Sequence, residues 1–338
     1  MFGEDDVIIL IGAGCSADAG ISTSYQMIEE VERLIEKDNN WRRFKEIYFF
    51  LKSSILYSDG IKGIFNNNFD IERLVNVLRE LNKKENSTLF PFIGSWNPRL
   101  LELAEYNFNI LNSFETEILK KLTTWVQLEN YNGAKYYKKF FEFQREYNYP
   151  LRIFSLNYDL CLEKNKPDEV VLERGFNEDH IWDWRRFEKN EVGEPINVYL
   201  YKMHGSIDWK RDENEGNILK EVERIPDKPD LIFGTDYKLQ YIDPYLFYAY
   251  ELRKYSLESK LIITIGYSFR DQHINGILYQ ALKHDPERKI ILVSTHADNV
   301  KKRLSKEVVN QVYTVEKKAK EFLADLALSY VELIIESG

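Results

Sequence analysis

The sequence is poor in the residues that build disulfide frameworks, zinc clusters and membrane spans. Only two cysteines occur in 338 residues, Cys15 and Cys161. This count excludes a disulfide scaffold and a four-cysteine zinc site, and it favours a reducing compartment. The longest aliphatic runs, such as Val7–Ile11, fall far short of the roughly 18 residues that span a bilayer. The start also lacks the features of a secretory leader, so we expect a cytoplasmic protein with no membrane contact.

The chain has many charged residues, with a small excess of acidic ones. The chain has 46 basic and 55 acidic residues, which gives a net charge of −9. Such an acidic balance argues against broad electrostatic coating of a polyanion, so no direct nucleic-acid binding is predicted. Hydrophobic residues make up 44% and charged residues 30% of the chain, which is typical of a globular protein.

Short apolar runs alternate with helical patterns along much of the chain. The run Val7–Ile11 is β-branched and continuously apolar, which is typical of a strand buried on both faces. Comparable runs lie at Leu151–Leu156, Asn197–Met203, Leu261–Ile265, Lys289–Ser294 and Val312–Val315. Helical patterns cover Asp243–Tyr255 and Gln272–Leu282. This alternation predicts an α/β fold, a Rossmann-like parallel sheet with helices on both faces.

A long block after the first strand has a helical period almost throughout. Met27–Ile35 and Ile71–Leu81 each present one apolar face, the second behind a predicted cap at Asp70. Pro98–Leu128 and Lys135–Tyr147 are predicted as further helices. The predicted domains are a core of residues 1–24 and 148–316, a large helical insertion of residues 25–147, and a C-terminal helix packed on the core within residues 317–338.

Small or polar residues follow the predicted strands where each strand ends. These segments are Gly12–Ala17, Ser155–Asp159, Met203–Ser206, Gly266–Ser268 and Ser294–His296. In an open parallel sheet, ligands bind in the crevice outside the carboxyl ends of the strands. If the strands are parallel neighbours, the five segments therefore line one crevice.

The glycine-rich turn after the first strand has two interpretations. Gly12, Gly14 and Ala17 match a variant of the dinucleotide fingerprint, in which glycines let the backbone approach a phosphate and a helix start offers N–H groups. A tight turn between a strand and a helix would also use glycine. Glu29 and Glu30 lie at the spacing of a ribose-binding carboxylate, but they also fit the solvated face of a helix.

Several polar residues at the strand ends also have two interpretations. His204 follows an apolar run directly and is either a reactive group or a hydrogen-bonded structural histidine. Asn157 and Asp159 either contact a ligand or cap a short helix. Asp271 is interpreted as the cap of the helix that begins at Gln272. The other four histidines lack the carboxylate or cysteine spacing of a metal site, so no metal is predicted; they are His180, His273, His284 and His296.

Four motifs, in chain order, resemble those of the sirtuin family. They are Gly12–Ile21, which resembles the Gly-Ala-Gly-x-Ser opening with its Gly-Ile, and then Ser155–Asp159, Met203–Ser206 and Gly266–Ser268, which are similar to the Thr-Gln-Asn-x-Asp, His-Gly and Gly-Thr-Ser motifs. The resemblance covers roughly residues 5–24 and 150–295. It implies the sirtuin fold and a site for NAD.

The chain departs from the sirtuin deacylases at three points. Ser22–Tyr25 stands where the deacylases have Pro-Asp-Phe-Arg, and Leu156 stands where they have glutamine. No cysteine follows Cys161, so their four-cysteine zinc module is missing. These departures argue against protein deacylation and against zinc.

The remaining pattern is similar to the sirtuin-like NADases of bacterial anti-phage defence, in particular the stand-alone subunit that assembles with a HerA-type hexameric ATPase. This resemblance implies an NAD glycohydrolase that cleaves the nicotinamide–ribose bond of NAD, its substrate, to give nicotinamide and ADP-ribose, linear or cyclic. It also implies a homo-oligomer with the ATPase as partner. Two alternatives stay open, a non-catalytic subunit that binds NAD or ADP-ribose to regulate a larger complex, and an NAD-dependent deacylase.

The resemblance also implies roles for individual residues. Asn157 and His204 would be catalytic. Asn157 would hold the ribose or the attacking water, and His204 would bind the ribose hydroxyls or act as general base, for which the ordinary imidazole pKa of about 6.5 is suited. Asp159 would contact the carboxamide of nicotinamide. The other NAD-binding residues would be Gly12, Ala13, Gly14 and Ser16 at the pyrophosphate and Gly266 and Ser268 near the adenosine ribose.

Overall fold

The computed structural model describes residues 2–63, 69–82, 98–105, 108–188, 195–212, 217–233 and 242–336. Its strands are β1 (Val7–Ile11), β2 (Leu151–Ser155), β3 (Leu172–Glu173), β4 (Val198–Lys202), β5 (Trp209–Asp212), β6 (Ile218–Glu221), β7 (Leu261–Ile265), β8 (Lys289–Val293) and β9 (Val312–Val315). Seven of them form one sheet in the order β3-β4-β2-β1-β7-β8-β9. All neighbours in this sheet are parallel, which confirms the predicted α/β fold.

The predicted long strands occur within about two residues of their predicted ends. β1 lies in the middle of the sheet, and all five of its residues are buried, as expected for a continuous run of Val, Ile and Leu between two neighbours. Two features were not predicted from the sequence. β3 is an edge strand of two residues, and β5 pairs with β6 as a separate antiparallel hairpin.

The α-helices comprise Ala13–Ser16, Ser24–Lys37, Asn39–Arg42, Lys45–Ile61, Ile71–Asn82, Pro98–Leu103, Asn109–Val126, Lys138–Tyr147, Tyr245–Glu258, Gln272–His284, Ala297–Lys301, Ala319–Asp325 and Leu328–Glu336. The chain divides into two compact units. The sheet unit comprises Met1–Ile21, Val126–Ile232 and Lys238–Gly338, and the helical unit comprises Ser22–Trp125 and Phe233–Tyr237. The predicted division into a core, a helical insertion and a C-terminal helix stays a prediction.

The helical unit has its own aromatic core. Phe44 stacks on Phe114 with 4.6 Å between ring centroids, and Trp41 packs edge-on against both rings. Its first helix, Ser24–Lys37, begins with a capping box in which Thr23 and Gln26 exchange hydrogen bonds. Rings of this size contribute much of the burial that stabilises a small helical unit.

Two predicted helices are interrupted in the structure. Pro98–Leu128 contains two helices, Pro98–Leu103 and Asn109–Val126, and the backbone between them has positive φ at Glu105 and Phe108. A residue with positive φ ends a right-handed helix because its backbone turns the opposite way. Where one C-terminal helix is predicted in residues 317–338, the structure has the helices Ala319–Asp325 and Leu328–Glu336, separated by the extended residue Leu326.

Both C-terminal helices bury apolar side chains. Phe322 and Leu323 of the first helix and Val331 of the second are fully buried. Among the residues that the structure describes, no helix is long and apolar enough to cross a membrane.

Candidate functional site

The strand order places the five polar segments at one edge of the sheet. β4, β2, β1, β7 and β8 are consecutive parallel neighbours, so their carboxyl ends point the same way. Hydrogen bonds continue across the segments, because the amide of Met203 donates to Ser155 and the amide of Leu156 donates to Ile11. The motifs that lie far apart in the sequence therefore meet at one edge of the sheet, which is where open parallel sheets bind ligands.

The glycines of the turn after β1 pack directly against the turn after β7. The amide of Gly12 donates to the carbonyl of Ile265, and the amide of Gly14 donates to the carbonyl of Gly266, both at 3.0 Å. A Cβ atom at Gly12 would lie 2.8 Å from the oxygen of Gly266, and one at Gly14 would lie 2.8 Å from the α-carbon of Gly266. Close backbone contact therefore requires these glycines, and Ala13 is the exposed residue of the turn.

The hydroxyl of Ser16 is the centre of a buried hydrogen-bond network. Ser16 Oγ donates to Asp159 Oδ2 at 2.7 Å and accepts from Asn157 Nδ2 at 3.0 Å. It also lies 2.7 Å from the hydroxyl of Tyr137, which must then be the donor. A serine hydroxyl has one donor and two acceptor positions, so all of its capacity is used within the protein. A phosphate would reach Ser16 Oγ only by displacing one of these partners.

The same network orients the side-chain amide of Asn157. One N–H of Asn157 Nδ2 donates to the carbonyl of Gly12 at 3.0 Å and the other to Ser16 Oγ. The reversed orientation would place Asn157 Oδ1 against the Gly12 oxygen, where two acceptors would repel. Within the described part of the chain, no hydrogen bond reaches Oδ1. This oxygen is thus held in a defined direction as a hydrogen-bond acceptor.

Asp159 is held by its own segment and by a lysine from β4. Its Oδ1 accepts from the amide of Cys161 at 3.0 Å, and its backbone carbonyl accepts from Nζ of Lys202. Lys202 is 1% exposed and lies 3.4 Å from Glu163. Both carboxylate oxygens of Asp159 therefore contribute to fixing Ser16 and the loop after β2.

His204 contacts a carboxylate that follows β7. Its Nε2 lies 3.3 Å from Asp271 Oδ2, and both side chains are buried. The other oxygen of Asp271 accepts from the amides of His273 and Ile274, which confirms the predicted cap of the helix Gln272–His284. The ring of Tyr158 packs near the imidazole, with 6.4 Å between centroids.

Ser268 and the segment after β8 are placed at the rim of this edge. Ser268 is exposed, and its carbonyl accepts from Arg303 at 2.7 Å. His296 is also exposed, and its amide is bonded to Ser294. Neither side chain joins the buried network. Glu30 pairs with Arg33 on its own helix, as expected for a solvated helix face.

Neither cysteine is a reactive thiol in this structure. Cys15 and Cys161 are free and buried. Burial raises the pKa of the Cys15 thiol to about 12, so it remains protonated at neutral pH and packs as an apolar side chain. The described residues include no group of three or more His, Cys, Asp or Glu side chains that could hold a metal ion.

The sequence analysis does not predict the roles of three residues of the site. Tyr137 lies in the segment before β2, and nothing in its own pattern distinguishes it from other aromatic core residues. The sequence does indicate a role for Lys202, since a lysine at the last position of a buried apolar strand requires a polar partner. Asp271 was identified only as a cap, although a buried cap has a second oxygen that also needs a partner.

A cluster of buried charges lies beside Lys202. Arg174 is 2.9 Å from both Asp208 and Glu221, and 3.6 Å from Glu163. Burial alone would lower the pKa of Arg174, but the three carboxylates outweigh it and raise that pKa. Burial likewise raises the pKa of Asp208, but Arg174 outweighs it and holds that pKa below its ordinary value.

Replacement of Arg174 by methionine is expected to reduce the free energy of unfolding by about 3–5 kcal/mol, because it leaves buried carboxylates without their cation. Acid should affect the wild type and the variant differently. A lowered pKa of Asp208 means that its contribution is present above the ordinary aspartate pKa of about 4 and is lost as the pH falls below it. Urea denaturation from pH 7 to pH 3 measures both effects, and a variant with the same acid limb as the wild type would contradict this assignment.

The profile described as SIR2-like domain matches residues 151–317, from β2 to just beyond β9, so the resemblance is confirmed for this part of the chain. One similar solved structure is a Sir2 homologue in complex with NAD, with 15% identity over 97% of this chain and 90% of that chain and a TM-score of 0.49. Another is a Sir2 homologue in complex with ADP-ribose, with 14% identity over 98% and 92% and a TM-score of 0.48. Among curated proteins none matches the chain.

Proposed function

We propose that this chain is an NAD glycohydrolase. The observation that supports this proposal most strongly is the orientation of Asn157, whose amide nitrogen is tied to Gly12 and Ser16 and whose oxygen is left as an acceptor. An acceptor held in this way is suited to a ribose hydroxyl or a water molecule, and it needs no reorganisation during the reaction. His204 follows the neighbouring strand β4, so both residues lie at the same part of the edge.

The proposed reaction is hydrolysis at C1′ of the nicotinamide ribose. The bond from C1′ to the nicotinamide nitrogen breaks, and its electron pair neutralises the cationic ring, so nicotinamide leaves without protonation. Water then bonds to the oxocarbenium-like C1′ and passes its proton to His204, which gives ADP-ribose. Asn157 Oδ1 would accept from this water or from a ribose hydroxyl. General base catalysis of this kind contributes about 10²–10⁴-fold to a rate.

The remaining residues have proposed places along the same substrate. Asp159 would contact the nicotinamide carboxamide, and it also supports the reaction indirectly by fixing Ser16. The Gly12–Ser16 turn would lie at the pyrophosphate, where Ala13 is its exposed residue. Gly266 and the exposed Ser268 would lie near the adenosine ribose. The proposal includes no zinc, since the chain lacks the four cysteines of the sirtuin zinc module.

Replacement of His204 by alanine is expected to slow nicotinamide release from NAD by about 100-fold, as for the loss of a general base. Chromatography of nicotinamide released by the purified protein measures this rate, and a thermal melt checks that the variant is folded. An undiminished rate in a folded variant would contradict the role of His204. The same chromatograms separate linear from cyclic ADP-ribose.

A second candidate function is a non-catalytic regulatory subunit that binds NAD or ADP-ribose. Burial favours this candidate, since His204 is 3% and Asn157 6% exposed and the hydroxyl of Ser16 is fully used. A rise in melting temperature with NAD or ADP-ribose, without nicotinamide release under any condition, would support it. Product formation from an acyl-lysine peptide would instead indicate a deacylase.

We also propose that the hydrolase acts in the cytoplasm in anti-phage defence, as a homo-oligomer assembled with a HerA-type hexameric ATPase. The support is the motif resemblance together with the buried site, which suits an enzyme that a partner activates. The test is NAD turnover with and without the ATPase, combined with mass measurement of the assembly. In cells, NAD loss on infection that requires both proteins would be the expected result.

A further inference from the structure

We infer that Asp271 is a positioning residue for His204. The two oxygens of its carboxylate have different contacts. Oδ1 caps the helix Gln272–His284, and Oδ2 lies 3.3 Å from His204 Nε2. The consequence for turnover rests on the proposed NAD hydrolysis, whereas the pairing itself does not. Nothing in the sirtuin-like motifs of the sequence assigns a role to this residue.

The contact links two segments that leave distant strands. His204 follows β4 and Asp271 follows β7, and β2 and β1 lie between these strands. Neighbouring strands are about 4.8 Å apart, so three intervals amount to roughly 14 Å. The segments after β4 and β7 must therefore fold toward each other over the carboxyl ends of β2 and β1. These are the strands that carry Asn157 and the Gly12 turn.

Burial gives the contact its chemical effect. His204 is 3% and Asp271 4% exposed, so water screens their interaction little. A carboxylate only accepts hydrogen bonds, and it therefore favours the tautomer with the proton on Nε2 and leaves Nδ1 as the basic nitrogen. The carboxylate also stabilises the imidazolium that forms when Nδ1 takes a proton. The two atoms, His204 Nε2 and Asp271 Oδ2, are 3.3 Å apart but are not aligned as a hydrogen bond in this structure, and contacts of catalytic residues often align only when substrate binds.

Two further contacts of His204 among the described residues are with neutral groups. The ring of Tyr158 packs beside His204, but its hydroxyl donates to the carbonyl of Ile232 at 2.8 Å. The backbone carbonyl of His204 accepts from the amide of Ile232. Within the part of the chain that the structure describes, these two contacts are neutral and the contact with Asp271 is the charged one.

Two variants of Asp271 separate positioning from helix capping. Asparagine and serine are both good N-caps, so Asp271→Asn and Asp271→Ser should keep the thermal melt close to that of the wild type. Asparagine removes the charge but keeps the shape, and serine is too short to reach His204. We expect kcat for NAD hydrolysis to fall by about 10-fold in Asp271→Asn and by more in Asp271→Ser, with KM changed by less than about threefold. An unchanged kcat in both variants would overturn the positioning role.

A spectroscopic measurement tests the pair without NAD. Protein labelled with ¹⁵N-histidine should show a downfield, slowly exchanging imidazole N–H signal, assigned to His204 by its loss in His204→Gln. We expect the signal to shift upfield in Asp271→Asn and to disappear in Asp271→Ser. A signal that Asp271→Ser leaves unchanged, or no such signal in the wild type, would overturn the inference. If the wild type lacks NAD turnover but shows this signal and its loss, the proposed function fails and the pairing stands.

Discussion

Replacement of Asn157 by aspartate is expected to reduce nicotinamide release from NAD by about 1,000-fold or more at neutral pH. In the wild type both N–H groups of Asn157 donate, one to the Gly12 carbonyl and one to Ser16 Oγ. An aspartate at this position presents oxygens only, so it faces the Gly12 carbonyl with like partial charge and adds a second carboxylate beside Asp159. The substitution therefore removes the oriented acceptor Oδ1 and also the two hydrogen bonds that hold it in place. Because these groups belong to one hydrogen-bond network, the effects of losing them combine.

The rate must be compared with stability, because the same substitution also disturbs a buried network. Loss of two buried hydrogen bonds with an added charge is expected to reduce the free energy of unfolding by about 3 kcal/mol. Asn165→Asp provides a matched control, since Asn165 is 5% exposed and its Nδ2 donates to the backbone carbonyls of Cys161 and Tyr131. Urea denaturation should show similar destabilisation in both variants, whereas only the Asn157 variant should lose turnover. Equal loss of turnover in both would contradict a specific role for Asn157.

Much of the fold follows from local patterns in the sequence. The five consecutive apolar, mostly β-branched residues of Val7–Ile11 favour a strand covered on both faces, and the structure places this strand at the centre of the sheet. The parallel direction of β7 and β8 follows from the helix Gln272–His284 that connects them. The same logic predicts that Asn157 and His204 lie at one edge, and the register of β2 against β4 agrees with it.

The remainder of the fold depends on contacts that local patterns do not encode. The hairpin of β5 and β6 lies in a charged stretch whose alternation is weak, and each of its strands is only four residues long. The interruption near Glu105 and Phe108 depends on positive φ angles at residues that are usually helical. Tertiary packing decides such segments, and their own propensities are close to neutral.

The candidate site shows the same division between local and long-range information. Ser16 and Asn157 belong to motifs, but the partner that completes the Ser16 hydroxyl, Tyr137, is 121 residues away in sequence. Asp271 is recognisable as a cap because capping is a local pattern. Its contact with His204 depends on the order of strands in the sheet, which a single sequence does not specify residue by residue.

The sequence analysis explains the glycines of the turn after β1 by the close approach of the backbone to a phosphate. The structure gives a second reason for these glycines. Gly12 and Gly14 are in backbone contact with the turn at Gly266, and their amides donate to Ile265 and Gly266. A phosphate-binding turn and a close backbone crossing both exclude side chains, so the motif alone does not distinguish them. Substitutions in this turn should therefore reduce the stability of the fold more than they reduce NAD binding.

Replacement of Gly266 by alanine is expected to reduce the free energy of unfolding by about 4 kcal/mol or more, or to prevent soluble expression. Its φ of +65° is unfavourable for residues with a Cβ, and that Cβ would lie 2.2 Å from the amide nitrogen of Cys15 and 2.4 Å from the carbonyl carbon of Gly14. These are backbone atoms, so no side chain can rotate away, and relief requires separation of the turns after β1 and β7.

Gly276→Ala is the matched control for this substitution. Gly276 lies within the helix Gln272–His284, and a Cβ there would meet no atom within 4 Å. Alanine in a helix interior is more favourable than glycine by up to about 1 kcal/mol, so urea denaturation should show a small gain in stability. Both glycines lie in the same unit. Changes of opposite sign in the free energy of unfolding of the two variants would therefore show that the loss in Gly266→Ala comes from the contact between the two turns. A Gly266→Ala protein as stable as the wild type would show that the turns can separate without cost.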